Sequence, residues 1–187
     1  MPSFSLTPEV RTLLERISRA AFTNPFGDER WQLDAEVAGL DPDDPEVVPT
    51  VIARLRSTLD ALPSQRPKDF ARADAQCVED AILFDAFHRF AEPFDAQIAI
   101  ELKSGETAPF EAADEISGWL SRHGFRGDRI QRALELFWQL RRAYHFIASG
   151  LVGRSRCTRS LREALWNAVF THDVRRYERH LWDRLED

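Results

Sequence analysis

Val10, Leu13, Leu14, Ile17 and Ala21 fall three and four residues apart, and the same interval governs nearly the whole chain. Val48, Val51, Ile52, Leu55, Leu59 and Leu62 make a second stripe, and Val78, Ile82, Leu83, Phe87 and Phe90 a third. Ile130, Leu134, Phe137, Trp138, Tyr144 and Ile147 make a fourth. Side chains at this spacing return to one side of an α-helix, so each stripe predicts a helix with a buried face. Shorter helices are expected around Trp31, Leu33 and Val37, around Ile98 and around Ile116. Alternating apolar and polar runs with Asn-Gly turns, the signature of strands and hairpins, are nearly absent. No long period repeats, which argues against a solenoid. The expected fold is all-α, an irregular helical bundle closed by a C-terminal amphipathic helical segment.

The breaks between stripes have their own chemistry. Thr7 followed by Pro8 reads as a helix cap with proline in the first turn, and "TNPFG", "GLDPDDPE" and "PSQRP" end or separate helices. With 187 residues, 43% of them hydrophobic, the chain can bury one substantial core. No apolar run reaches the length of a membrane span, and "MPSFSLTPEV" lacks the basic and apolar regions of a secretory signal, so the cytoplasm is the expected compartment, with no membrane partner. Cys77 and Cys157 stand far apart and outside any CxxC spacing. The net charge of −6 is uneven: eight arginines face six carboxylates from Leu151 onward, which leaves 17 basic against 25 acidic residues before it. An acidic body argues against nucleic acid as a direct partner, because phosphate binding requires a basic surface.

One cluster has metal-like spacing. Asp85, His88 and Glu92 occupy positions i, i+3 and i+7, one face of a continuous helix, with Glu79 or Asp80 one or two turns earlier. A di-iron carboxylate bundle needs two Glu-x-x-His-type units on separate helices, and a single unit is present. The competing reading is a solvated polar edge beside the phenylalanine stripe. His145, next to Tyr144, could touch a small ligand or favour a helix C-terminus electrostatically. Gly124-Phe125-Arg126-Gly127 matches the GXXG letters of a KH loop, but a glycine-ended helix followed by Asp128 as the next cap explains the same residues without a sheet. "SGLVGRS" lacks the lysine and spacing of a phosphate-binding P-loop. No catalytic residue is assigned.

Leu151-Val152-Gly153-Arg154-Ser155, followed by Leu161-Arg162, resembles the segment that opens the AAA+ ATPase module of sigma-54-dependent transcriptional activators, the bacterial enhancer-binding proteins. The continuation "REALWNAVFTHDVRRYERHLWDRLED" is similar to a subgroup with a long arginine- and tryptophan-containing connection before the Walker A loop, and "FTNPFGDERWQLD" and "FWQLRRAYHFI" look like its N-terminal region. The resemblance implies a helical regulatory domain over 1–149 and the start of a truncated AAA+ module over 150–187, with Leu151, Val152 and Gly153 near the nucleotide's base in the complete module. Walker A, Walker B, the sigma-contacting loop and the DNA-reading helix-turn-helix lie outside these residues. ATP and magnesium would therefore belong only to the full-length protein, and this chain would carry no enzymatic activity. Its implied partners are the adjoining module and, through it, sigma-54 RNA polymerase.

The tail then acquires a physical role. Val174, Tyr177, Leu181 and Leu185 recur at helical spacing, with Trp166 and Trp182 alongside, a surface suited to docking on the module or to self-association as a homo-oligomer. The same stripe could instead fold onto its own bundle. The expected function is non-enzymatic control of the adjoining ATPase in response to a signal. A small-molecule signal needs a pocket, and Trp119, Trp138, Tyr144 and His145 are the aromatic candidates to line it. A metal-binding bundle centred on Asp85, His88 and Glu92, or a free-standing helical adaptor, are the alternatives.

Overall fold

The computed structural model describes residues 3–153, 155–170, 174 and 177. Among them are eight α-helices: α1 (Pro8–Phe22), α2 (Asp28–Ala38), α3 (Val47–Ala61), α4 (Arg72–Arg89), α5 (Ala91–Ser104), α6 (Ala113–Arg122), α7 (Asp128–Gly150) and α8 (Arg156–Phe170). The only strand-like pairing among the described residues is an isolated parallel bridge between Phe4 and Phe70, closed by hydrogen bonds from Phe4 N to Asp69 O (2.9 Å) and from Ala71 N to Phe4 O (2.7 Å). The all-α bundle is therefore the observed architecture. No helix among the described residues is long and apolar enough to cross a membrane.

Local chemistry sets the helix ends. Thr7 caps α1 by accepting a hydrogen bond from Val10 N at 3.4 Å, and Pro8 occupies a first-turn position where its missing N–H costs nothing. Because that bond is long, Thr7→Ala is expected to lower stability by only about 0.5 kcal/mol in urea unfolding. A loss above about 2 kcal/mol would show that the hydroxyl does more than cap. The α6–α7 turn corrects one expectation. Gly127, with φ 48° and ψ −126°, is the cap of α7, and Asp128 is its first helical residue, where its charge faces the helix N-terminus. Phe125, between the two glycines, is buried in the core.

The break between α4 and α5 matters most for the site. Pro93 has no N–H to give to Arg89 O, and its ring crowds that carbonyl, so the helix cannot run through. It kinks at Phe90 (φ −104°, ψ 19°). Residues before and after this point do not share one helical face.

The main core lies where α1 packs along α4, with α2 and α3 beside them and Leu14, Ile17, Leu55, Val78, Ile82, Ile116 and Leu120 in its centre. Burying each such side chain favours folding by about 1.5–3 kcal/mol before chain entropy is subtracted. Three buried aspartates on α4 fix how its neighbours sit. Asp74 accepts two bonds from Arg11 (2.7 and 3.1 Å) and one from Leu6 N (3.0 Å), Asp80 accepts from Ser18 Oγ (2.6 Å), and Asp85 accepts from Arg56 Nε (2.6 Å). The first two address the α1 side and the third addresses α3.

A second, smaller core joins Phe26, Leu136, Ile147, Trp166, Phe170, Val174 and Tyr177. Residues on both sides of position 150 share it. Asn24 holds α8 from the α1–α2 turn, donating through Nδ2 to Glu163 O (3.0 Å) and Asn167 Oδ1 (2.9 Å) while its Oδ1 accepts from Phe26 N (2.9 Å). Tyr177 is fully buried and donates to Gln139 Oε1 at 2.6 Å. The described part of the tail thus packs on its own bundle. Leu181, Trp182 and Leu185 lie outside the described residues.

Candidate functional site

Between the two cores lies a cavity of about 690 Å³. Its volume falls in the range of small-molecule sites. α2 contributes Arg30, Trp31 and Asp34, α4 contributes Phe84, Phe87 and His88, and α7 contributes Phe137 and Tyr144. Trp166 and Val174 reach it from the C-terminal segment. Aromatic and aliphatic side chains make most of the wall, and Arg30 and His88 both lie against the Phe84 ring.

Arg30 and Asp34 sit one turn apart on α2. Arg30 Nε donates to Asp34 Oδ2 at 2.6 Å, its Nη1 donates to Ala20 O at 3.0 Å, and its guanidinium lies 5.3 Å from the Phe84 ring centre. Asp34 is 5% exposed, and burial raises its pKa above the usual carboxylate value, with Arg30 opposing the shift. Its second oxygen, Oδ1, is buried and has no hydrogen-bond partner among the described residues. His88 Nε2 is in the same condition. The His88 ring packs against Phe84 at 4.5 Å and Phe87 at 5.4 Å. Burial, followed by the nearby Arg30 and Arg141 cations, lowers its pKa to about 3 despite Asp85. The imidazole is neutral at physiological pH. Two lining residues that each bury an unpaired polar atom are uncommon, since leaving such an atom unsatisfied costs about 1–3 kcal/mol.

The residues suggested by sequence divide sharply. Tyr144 lines the cavity and stacks on Phe26 at 5.1 Å, but Trp119, Trp138 and His145 do not line it. Trp119 stacks on His123 at 3.8 Å, with Arg89 5.5 Å from its ring centre, and His123 bridges to Gln65 Oε1 at 3.0 Å. Trp138 packs 6.4 Å from Phe94 and carries Arg142 on its face. His145 lies beside Phe146, on the other side of α7.

The metal-like trio is also separated. His88 faces the cavity, Asp85 is occupied by Arg56 and by Arg89 Nη2 at 2.9 Å, and Glu92 is exposed on α5 beyond the Phe90 kink. Among the described residues no group of three or more His, Cys, Asp or Glu side chains could hold a metal. Residues at i, i+3 and i+7 share a face only in a continuous helix, and Pro93 removes that condition.

Leu151, Val152 and Gly153 form the turn from α7 into α8. Leu151 O accepts from Arg162 Nε at 3.1 Å, Val152 is 89% exposed, and Gly153 has φ 146°. A Cβ at Gly153 would stand 3.0 Å from Thr158 Oγ1, so the close approach, as well as the backbone, favours glycine. Trp166, Val174 and Tyr177 are buried, whereas Leu161, Leu165 and Val169 form an exposed apolar stripe at i, i+4, i+8 on the other side of α8.

Sequence reading missed Arg30 and Asp34. Their only signal is an i, i+4 ion pair within the same short helix as Trp31, Leu33 and Val37, and that pattern is normally a solvated surface pair. No family model, curated protein or solved structure matches the chain.

Proposed function

We propose that this chain is the non-enzymatic regulatory region of a sigma-54-dependent transcriptional activator, sensing a small molecule in the cavity and passing its occupancy to an adjoining AAA+ module through α8. One observation carries the sensing half of this reading. Trp166 of α8 and Val174 beyond it line the same cavity as Asp34 and His88, each of which buries one polar atom without a partner among the described residues. A molecule that fills the cavity touches α8 directly, through Trp166. The transcriptional half rests on the resemblance of residues 151–187 to the start of the family's ATPase module.

The coupling has a defined physical form. A ligand shifts an equilibrium only by the difference in its affinity for two arrangements. Here those arrangements are α8 seated on Asn24 and α8 displaced, and the ligand differs between them by its contacts to Trp166 and Val174. The exposed Leu161, Leu165 and Val169 stripe supports docking of α8 on the module, because an apolar helix face of this kind is suited to a second surface.

Filling the cavity tests the coupling without knowledge of the ligand. Ala133 lines it from α7, and Ala133→Phe places a ring inside. Amide exchange over 156–170 is expected to change about tenfold, a shift of about 1.4 kcal/mol, with α3 unchanged. Equal α8 exchange in the two proteins would refute transmission through this helix. The family assignment has a separate test in the native reading frame: codons after Asp187 that encode an apolar strand and a Gly-rich Lys-Ser/Thr loop support it, and an immediate stop favours a free-standing adaptor.

A further inference from the structure

We propose that His123 and Gln65 form a proton-operated latch that ties the end of α6 to the end of α3, closed when the imidazole is charged and released when it is neutral. The latch is separate from the sensing role of the cavity. It gives the bundle a second input, the proton, and stands whether or not the cavity binds a molecule.

Hydrogens decide the state of this network. Four polar contacts run in one chain: His123 Nδ1 to Trp119 O (2.8 Å), His123 Nε2 to Gln65 Oε1 (3.0 Å), and Gln65 Nε2 to Leu59 O (3.3 Å) and to Asp60 Oδ1 (3.1 Å). Each contact needs one hydrogen between its heavy atoms. The Gln65 amide brings two and a neutral imidazole brings one, so three hydrogens serve four contacts. A charged imidazole brings two, and the chain is complete. Turning the amide over does not mend the neutral form. Gln65 then donates to the ring, but its oxygen faces Leu59 O and Asp60 Oδ1, and two contacts are bare instead of one. The arrangement in this structure is the one that the charged ring completes.

Position makes the chain a tie between helices. Trp119 O lies in the last turn of α6, where carbonyls lose their helical partners, and His123 N donates to Leu120 O (3.0 Å) instead. Leu59 O lies in the last turn of α3 and also accepts from Leu62 N at 3.2 Å. His123 thus caps one helix with its ring, Gln65 caps another with its amide, and the two caps bond to each other. The connections that carry them also touch, since a Cβ at Gly124 would stand 3.5 Å from Arg66 Cγ. Phe125, two residues past His123, lines the cavity, so releasing the latch loosens a turn that forms part of the cavity wall.

The groups around the ring set where it titrates. Burial holds the pKa of His123 below the usual histidine value, and Arg122 on α6 and Arg89 on α4 add to that, while the bond to Trp119 O and the Asp85 carboxylate on α4 oppose it. Asp60 on α3 ends the chain beyond Gln65, and Arg66 lies against Gly124. The Trp119 ring, stacked on the imidazole at 3.8 Å, favours the charged form as an aromatic face favours a cation. The latch is therefore complete below the pH at which native His123 titrates, which lies under about 6.5, and is broken above it.

Nitrogen NMR of the full chain between about pH 8 and pH 5 reads both ends of the latch. The His123 ring nitrogens report protonation, and the Gln65 side-chain amide reports the bonds to Leu59 O and Asp60. Both are expected to change with one midpoint. Exchange of the Gln65 amide hydrogens with solvent, corrected for the intrinsic effect of pH, is expected to be about tenfold slower in the closed form, the equivalent of one hydrogen bond. Gln65→Glu sets a carboxylate against the ring and should raise the His123 midpoint by about one pH unit. Gln65→Leu should lower that midpoint and leave residues 62–66 without a response to pH. A Gln65 amide that ignores the titration of His123, or a His123 midpoint that Gln65→Glu leaves in place, overturns the latch. A ring that stays neutral throughout the range overturns it too, and His123 is then a fixed cap of α6.

Discussion

Lowering the pH from about 7.5 to about 5 is expected to remove about 2 kcal/mol of stability through His88 alone. An unfolded histidine takes up a proton near pH 6.5, whereas native His88 does so only near a pH of about 3. Between those values the unfolded chain binds a proton that the native chain refuses. Stability therefore falls as pH falls from about 6.5, with a slope approaching 1.4 kcal/mol per pH unit, about one proton's worth. Burial is the larger cause, and Arg30, Arg141 and Arg56 add to it against Asp85. His123 is shifted in the same direction, chiefly by burial, so the wild-type slope contains both. His88→Phe isolates the first. Phe84 and Phe87 already pack against that ring, and the substitution deletes the unpaired Nε2, so the variant should be at least as stable at pH 7.5. Urea unfolding at the two pH values should show its loss reduced by about 2 kcal/mol relative to wild type. Identical pH dependence in the two proteins would place His88 in water and remove Nε2 from the buried, unpaired polar atoms.

That result bears on how far the letters alone could reach. The helices were legible because burial leaves a 3.6-residue period in the apolar residues, and Leu55, Val78 and Ile82 are in the core where that period puts them. Periodicity reports which side of a helix is apolar. It does not report which polar residue on that side is buried, and the burial of Asp74, Asp80 and Asp85 was invisible for that reason. Their partners Arg11, Ser18 and Arg56 are 63, 62 and 29 residues away in sequence.

The site was legible only in part, for a related reason. Tyr144 stood out as a large aromatic side chain, and His88 through its spacing to Asp85 and Glu92. Trp119 and Trp138 attracted the same notice, yet they pack elsewhere, since a large ring stabilises any core it fills. Arg30 and Asp34 read as an ordinary surface pair until the fold places Phe84 against them. A cavity is a property of the space left between helices, and no residue encodes it by itself.

Asp85→Ala should cost about 2–3 kcal/mol. The carboxylate is 3% exposed and accepts from Arg56 on α3 and Arg89 on α4 at 2.6 and 2.9 Å, so the substitution deletes two charge-assisted bonds and leaves a small void. Removing one partner of a fully buried ion pair typically costs about 3–5 kcal/mol, because the other charge is stranded without water. Here the two arginines are 36% and 39% exposed, and water can reclaim them. That rehydration sets the lower figure. Asp85→Asn keeps the shape and one acceptor and should lose about half as much. If Arg56 and Asp85 act as a pair, Arg56→Met on top of Asp85→Ala should cost less than it does in the wild type, a coupling of about 1 kcal/mol in a double-mutant cycle. Additive losses, or an Asp85→Ala loss under about 0.5 kcal/mol, would mean that apolar packing alone holds α3 against α4. The consequence reaches the cavity through helical geometry. Phe84 and His88 lie four apart and face the cavity, while Asp85, one step around α4, reaches Arg56 on α3. The ion pairs on one face thus hold the helix whose adjacent face presents Phe84 and His88 to the cavity.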